Sequence, residues 1–428
     1  MKHMERLAIL SGCRTPQAKA FGELASLSAV DLGISVLQGT LQRANLEADA
    51  IDEVIFGNVS GPAEASNVAR VISLQAGVPV TKHAFTVNRN CASGMESIIS
   101  AWHAISVGRA SKIIAGGVES MSQVPLLVAE STKHKLMSLA RARSWLQKVK
   151  AAGQFRWHDF RPVAALELGL TDPTCKLNMG QTAELLAHEF GISRESQDRF
   201  ALASHQKASA AIERCFMSGE VIGIEVAGEI AKRDQSPRKN QTLEQLSKLR
   251  PLFDRTEGTV TAGNSCPLTD GAAALLVTSE SIASRESISP LGFVSDYAIA
   301  GCDPRHMGLG PVFAIDKLLD QTGLVVGDID LFEINEAFAA QVLACLQAFE
   351  STGFAREQLQ RAHAIGTIEP AKLNIHGGAI ALGHPVGSTG TRIVLTLLRA
   401  LREKGLHRGI ASLCVGGGQG VAMLVESY

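Results

Sequence analysis

The chain carries a weak copy of itself, and that copy limits the folds open to it. Residues 46–57 read LEADAIDEVIFG and residues 324–335 read LVVGDIDLFEIN. Leu46 aligns with Leu324, Ile51 with Ile329, Asp52 with Asp330 and Phe56 with Ile334, all at one offset, 46 to 324. A second echo follows in the same order. The helical pattern after Cys91, then Gly108 and the run Ile113–Gly117, match the pattern around Arg392–Lys404, then Gly405 and the run Ile410–Gly416. Two ordered matches predict a duplicated fold. Within each half, β-type runs bounded by glycine (LAILSG at 7–12, VIFGN at 54–58, IIAGG at 113–117, IASLCVGGG at 410–418) alternate with helical patterns. That alternation predicts an α/β fold of sheets covered by helices. With 428 residues, 46% of them hydrophobic, the chain can bury the core of two or three domains.

Between the halves lies a segment of different character. Ser131 to Arg161 holds eight Lys/Arg against one acid, Asp159, in a chain whose net charge is only −1. It also holds Trp145 and Trp157, two of the three tryptophans. Leu136, Leu139, Ala142, Leu146 and Val149 recur at three or four residues, which predicts a basic amphipathic helix. Arg233–Arg250 is polar and proline-containing, and reads as loop. The near-zero net charge gives no overall attraction for nucleic acid. The eight cysteines show no CxxC pair and no Cys/His spacing for a metal, so most read as small buried residues of a reducing compartment. MKHMERLAIL runs directly into a strand pattern, without a signal-peptide core. No apolar stretch reaches the ~18 residues of a membrane span. The expectation is a cytoplasmic protein.

Cys91 is the first candidate for chemistry. In TVNRNCASGMESIISAWHAI it follows a β-type run, and Met95, Ile98, Ile99, Trp102 and Ile105 mark the buried face of a helix behind it. A thiol at a helix N-terminus faces unpaired N–H groups and the positive end of the dipole, so its pKa is expected below the usual ~8.5. Three later stretches supply partners. FEINEAFAAQ sets Asn335 after an apolar strand, NIHGGAIALGHPVGSTGTR sets His384 between Gly383 and Pro385, and SLCVGGGQG ends a strand on Cys414 and three glycines.

In this order after NRNCASG, these motifs resemble the thiolase family. The resemblance covers almost the whole chain, through RTPQAKAFG, GGVESMS, MGQTAE, GTVTAGNS, TDGAAA, NEAFAAQ, GGAIALGHPVGSTG and CVGGGQGVAM. It implies a duplicated α-β-α-β-α layered fold with a loop domain inserted in the centre. The implied divisions are 1–123 with 269–289 for the N-terminal half, 124–268 for the loop domain and 290–428 for the C-terminal half. It also implies thiolytic cleavage of 3-ketoacyl-CoA by coenzyme A, a co-substrate with no permanently bound cofactor and no metal. By the same resemblance Cys91 would be the nucleophile and His384 its proton acceptor. Cys414 would be the acid/base, and Asn335 would hold a water that binds a thioester oxygen with His384. The N–H groups of Cys91 and Gly416 would form a second oxyanion site. Met179, Phe253, Ala262, Cys266, Leu268, Met307 and Phe338 fall where the family lines its acyl and pantetheine site.

The chain departs from the pattern at Asn178, where biosynthetic thiolases have histidine, and at Cys266, where they have serine. The first argues against the alternative of a dedicated acetoacetyl-CoA-forming enzyme. A ketoacyl synthase-like condensing enzyme lacks the second cysteine that Cys414 supplies. A dinucleotide reading of GGGQG fails because VAMLVESY after it is strand-like and no helix follows. A non-catalytic scaffold would not need Cys91, Asn335, His384 and Cys414 together. His376 lies near the site in sequence, whereas His188 and His205 sit in helical patterns and gain no role. The insertion 131–161 resembles the long loop of β-subunits of trifunctional fatty-acid oxidation complexes, although many of those carry histidine at the position of Asn335. That resemblance implies a hydratase/dehydrogenase α-subunit as partner or peripheral contact with a membrane, on a homodimer or tetramer.

Overall fold

A computed structural model describes residues 4–428. The first half supplies strands β1 (Leu7–Arg14), β2 (Glu53–Gly57), β3 (His83–Val87), β4 (Lys112–Glu119) and β5 (Thr269–Ser279). The second supplies β6 (Gly292–Gly301), β7 (Leu331–Ile334), β8 (Arg408–Val415) and β9 (Gln419–Glu426). Their order is β7-β8-β9-β6-β1-β5-β4-β2-β3, with Ala18–Lys19 as a short tenth strand on β5. The two halves meet at β1 and β6, where Leu7–Ile9 pairs antiparallel with Gly292–Val294. Outward from that seam each half runs through the same pairings, antiparallel, antiparallel, then parallel.

Helices α1 (Ala29–Ala44), α2 (Ser93–Ser106), α3 (Glu130–Arg141), α4 (Trp145–Ala152), α5 (Met179–Glu189), α6 (Arg194–Glu213), α7 (Gly310–Thr322), α8 (Ala339–Glu350) and α9 (Val386–Lys404) complete the frame. The sheet wraps around α2 and α9. One core cluster unites Ile55, Ala115 and Leu275 of the first half with Ala411, Leu413 and Met423 of the second, around Trp102 of α2 and Leu398 of α9. Helix α1 covers the outside of the first half and α7 the outside of the second. The result is five layers, α-β-α-β-α. Because both faces of most strands are covered, β5 is buried along its whole length and reads as a near-continuous apolar run.

The internal echo has a concrete cause. The Asp52 carboxylate accepts hydrogen bonds from the backbone N–H groups of Ser111 (2.8 Å) and Lys112 (3.2 Å), at the start of β4. Asp330 accepts from His407 (3.0 Å) and Arg408 (2.9 Å), at the start of β8. Gly108 and Gly405 end the helices before those strands, with φ of 71° and 62°, the left-handed region that glycine enters at no steric cost.

At the centre, α2 and α9 touch backbone to backbone. A Cβ on Gly94 would lie 2.6 Å from the Thr391 nitrogen, and one on Gly390 would collide with the Met95 nitrogen. The Thr391 hydroxyl donates to the Gly94 carbonyl at 3.0 Å.

The segment between β4 and β5 lies off the main sheet and holds α3 to α6 with two small two-stranded sheets. The single amphipathic helix expected over the basic stretch is two helices. Ser144 caps the second through a reciprocal pair with Gln147, and the chain is extended at Ala142. The leucine stripe is not buried either: Leu136, Leu146 and Val149 are exposed, as are Trp145 and Trp157. The polar stretch near 233–250 contains one short helix, Leu243–Ser247. No helix among the described residues is long and apolar enough to cross a membrane.

Gly390→Ala is expected to destabilise by about 3 kcal/mol, the upper end for overpacking a tight contact. Gly405→Ala, with open space around it but a left-handed φ, should cost only about 1–2 kcal/mol. Urea unfolding of the two variants checks the order; equal losses would refute the central contact.

Candidate active site

Cys91 sits in the turn Asn88–Ala92 between β3 and α2. Ser93 braces that turn: its hydroxyl donates to the Asn90 carbonyl (2.7 Å) and accepts from the Arg89 N–H (2.9 Å). Asn90 itself is in the left-handed region, with φ of 44°. The backbone N–H groups of Gly416 and of Cys91 itself lie near the Cys91 sulfur and favour its thiolate. The expected fall in its pKa is not observed. Burial pushes the thiol up, the two N–H groups oppose that, and nearby Glu119 adds to the rise. The sequence places the thiol at a helix end, but the loss of water around it comes from residues of both halves and of the central segment, among them Met121, Leu166 and Val386.

His384 is held on three sides. Gly383 has φ of 110°, and a Cβ there would collide with Thr269. The His384 N–H donates to the Thr269 hydroxyl (3.2 Å). Its Nδ1 lies 2.7 Å from the Thr389 hydroxyl, which also reaches the Pro385 carbonyl at 2.9 Å. With the hydroxyl proton on that carbonyl, Nδ1 is assigned as the donor, and Nε2, which has no protein partner, carries the lone pair. Burial, and then Arg392, lower the imidazole to about 3. The resting pair is thus neutral thiol and neutral imidazole.

Cys414 ends β8 almost fully buried, its thiol raised well above the usual value by burial and then by neighbouring Cys91. Cys91, His384, Cys414 and Gly416 line one cavity of about 460 Å³, with Met179, Cys266, Met307 and Phe338. A larger cavity of about 810 Å³ is lined by Phe253, Ala262 and Leu268, and shares Met179, Cys266 and Phe338 with the first. Among the described residues Asn335 lines neither cavity. It is 1% exposed at the end of β7, and neither amide atom meets a protein partner.

Two carboxylates fix the surrounding loops. Glu119 accepts from the N–H groups of Val59 (3.1 Å), Ser60 (2.9 Å) and Gly387 (2.9 Å), joining the end of β2 to the start of α9. Glu336 accepts from Ser204 (2.6 Å), Asn374 (2.8 Å) and the Ile380 N–H (3.2 Å), fixing the chain that leads into His384.

Other residues of the cavities were not marked by sequence patterns. His205, which its helical spacing gives no role, lines the larger cavity with Lys19 and Arg238. Burial and Arg238 lower it to about 4, so it is neutral, and its Nδ1 accepts the Arg238 N–H at 3.2 Å. Leu166 and Leu170 wall both cavities from the segment that follows the basic helices. His376 is buried against Arg214 and Phe216 and lines neither cavity. Asn178 caps α5, accepting from Gln181 at 2.9 Å.

Residues 7–281 match the family model "Thiolase, N-terminal domain", and residues 288–427 match "Thiolase, C-terminal domain". The chain belongs to the thiolase family. It is therefore an acyltransferase. It is 40% identical over 425 residues to a 3-ketoacyl-CoA thiolase of Yersinia enterocolitica, covering 99% of this chain and 97% of that one. Human mitochondrial 3-ketoacyl-CoA thiolase, solved in complex with CoA, superposes with a TM-score of 0.86 at 35% identity, over 100% of both chains. An acetyl-CoA acetyltransferase of Bacillus anthracis gives 0.86 at 36% identity, also over 100% of both chains.

The neutral resting pair has a measurable consequence. Alkylation of Cys91 by iodoacetamide should still be rising at pH 9, because the thiolate fraction grows until the raised pKa is passed. A plateau below pH 8 would mean a preformed thiolate–imidazolium pair.

Proposed function

We propose that this thiolase cleaves 3-ketoacyl-CoA with coenzyme A to give a shortened acyl-CoA and acetyl-CoA, as in the β-oxidation of fatty acids. The observation that carries this reading is the convergence of Cys91, His384 and Cys414, drawn from both halves, on one small cavity that shares a wall, including Met179, Cys266 and Phe338, with a larger one. Nε2 of His384 takes the Cys91 proton as the sulfur attacks the ketone carbon. The C2–C3 bond then breaks, and Cys414 protonates C2 of the departing acetyl-CoA enolate. A buried, high-pKa thiol suits that role as an acid. Coenzyme A next gives its thiol proton to Cys414 and attacks the acyl-enzyme, and His384 returns the first proton to Cys91. Two oxyanions develop at different places. The N–H groups of Cys91 and Gly416 serve one, and Nε2 of His384 with a water held by Asn335 serves the other.

The larger cavity suits the pantetheine arm, between Met179, Phe253, Ala262, Cys266, Leu268 and Phe338, with Lys19 and Arg238 available to coenzyme A phosphates. Met307 in the smaller cavity bounds the acyl group. In this reading 124–268 is a loop domain set between an N-terminal half (1–123, 269–289) and a C-terminal half (290–428). A homodimer is supported by the outer edge of β3, where the sheet ends with Phe85 exposed and the strand leads directly to Cys91.

The insertion reads as a docking face. Trp145 and Trp157 are 71% and 91% exposed beside Lys148, Lys150 and Arg156, an apolar surface with a basic rim. We infer a hydratase/dehydrogenase subunit as its partner, with an anionic lipid surface as the second candidate.

Thiolysis of 3-ketoacyl-CoA esters of graded length tests the reaction. Cys91→Ala should lose it entirely, and full turnover in that variant would remove the nucleophile. Cys414→Ala should still accept an acyl group at Cys91 but exchange carbon–carbon bonds at least ~100-fold more slowly. Separately, a hydratase/dehydrogenase subunit should co-purify at low salt and be released at high salt. A lone dimer indifferent to salt and to anionic vesicles would defeat the docking proposal.

A further inference from the structure

We infer that Asn90 is a positioning residue for acyl transfer, a clamp from the first half that holds the Gly416 turn in register with Cys91. The inference rests on the function proposed above. Its basis is where Asn90 sits and what its side chain does there.

The turn after β8 reads Gly416-Gly417-Gly418, the most pliable backbone a chain can offer. Gly417 and Gly418 have φ of 91° and 79°. Two backbone bonds close this turn at its far end: Gly418 N–H to the Val415 carbonyl (3.2 Å) and Cys302 N–H to the Gly418 carbonyl (2.8 Å). Gly416, the residue that faces Cys91, is held through its carbonyl by the Asn90 amide, which donates to it at 2.8 Å. The same residue lines the cavity with Cys91, and its N–H is near enough to the sulfur to favour the thiolate. Asn90 also lines the catalytic cavity.

Asn90 reaches that carbonyl by adopting a left-handed backbone, φ 44°, one residue before the nucleophile. Such a conformation is uncommon for a residue with a Cβ, and asparagine is among those that tolerate it. Arg89 beside it makes a parallel connection, donating to the Gln419 side chain at 2.8 Å. The nucleophile turn of one half is thus tied to the glycine turn of the other by adjacent side chains. A donor aimed at a developing oxyanion loses much of its effect when displaced by about 1 Å. Fixing a glycine N–H from across the molecule is what the Asn90 amide is placed to do.

Asn90→Gly tests the clamp, because glycine enters the left-handed backbone without strain while removing the amide, and any loosening of the turn itself is read by the alkylation rate. Two rates are measured on wild type and variant: acylation of Cys91 by acetyl-CoA, read by mass spectrometry, and alkylation of Cys91 by iodoacetamide, which develops no oxyanion. The expected result is a fall of about 10- to 100-fold in acylation with a fall in alkylation at least ~5-fold smaller, the latter reporting only the weaker support of the thiolate by the Gly416 N–H. Equal acylation by wild type and variant would overturn the clamp. Parallel loss of both rates would also overturn it, by making Asn90 a general support of the loop. Failure of the wild type itself to acylate at Cys91 would instead reject the proposed function.

Discussion

Everything at the active site depends on how closely α2 and α9 approach. Cys91 stands just before the first helix and His384 just before the second, so the distance between helix axes sets whether thiol and imidazole can share a substrate. Gly94 and Gly390 allow backbone to rest on backbone, and the Thr391 hydroxyl fills the remaining bond. Side chains at those two positions would separate the axes, and the two reactive ends would move apart with them. The duplicated sheet serves this contact by wrapping both halves around the helix pair, which excludes water from it.

Parts of this arrangement are written in the chain and parts are not. The duplication is readable because Asp52 and Asp330 perform one task twice, each receiving the first N–H groups of a neighbouring strand. Cys91, His384 and Cys414 stand out because glycine-rich turns around reactive side chains are uncommon in combination. The sign of the Cys91 shift is not readable, since burial is a property of the assembled fold. Asn90 is equally silent, because its hydrogen bond crosses from residue 90 to residue 416. His205 shows the limit of periodicity: one helical spacing serves surface, core and cavity alike. The break in the basic insertion was within reach, because Ser144 with Gln147 three residues later is a helix-start signal.

Electrostatics and scaffolding are divided between different residues. The groups proposed to handle protons are left neutral and sparsely bonded, with Nε2 of His384 bare and Cys414 enclosed. The buried carboxyl groups nearby are saturated instead. Glu119 and Glu336 each receive several hydrogen bonds and spend their capacity on holding loops. Rigid, hydrogen-bonded carboxyl anchors leave the groups of the reactive centre free to answer whatever charge the substrate develops.

The uncharged state of Cys91 bears on survival as well as on turnover. Peroxide consumes thiolates and largely spares thiols. While its site is empty the raised pKa favours the less reactive thiol, and once acylated the sulfur is a thioester with no thiolate to oxidise. The thiolate, the form most open to oxidation, then forms chiefly between proton loss and bond formation, when a substrate occupies the site.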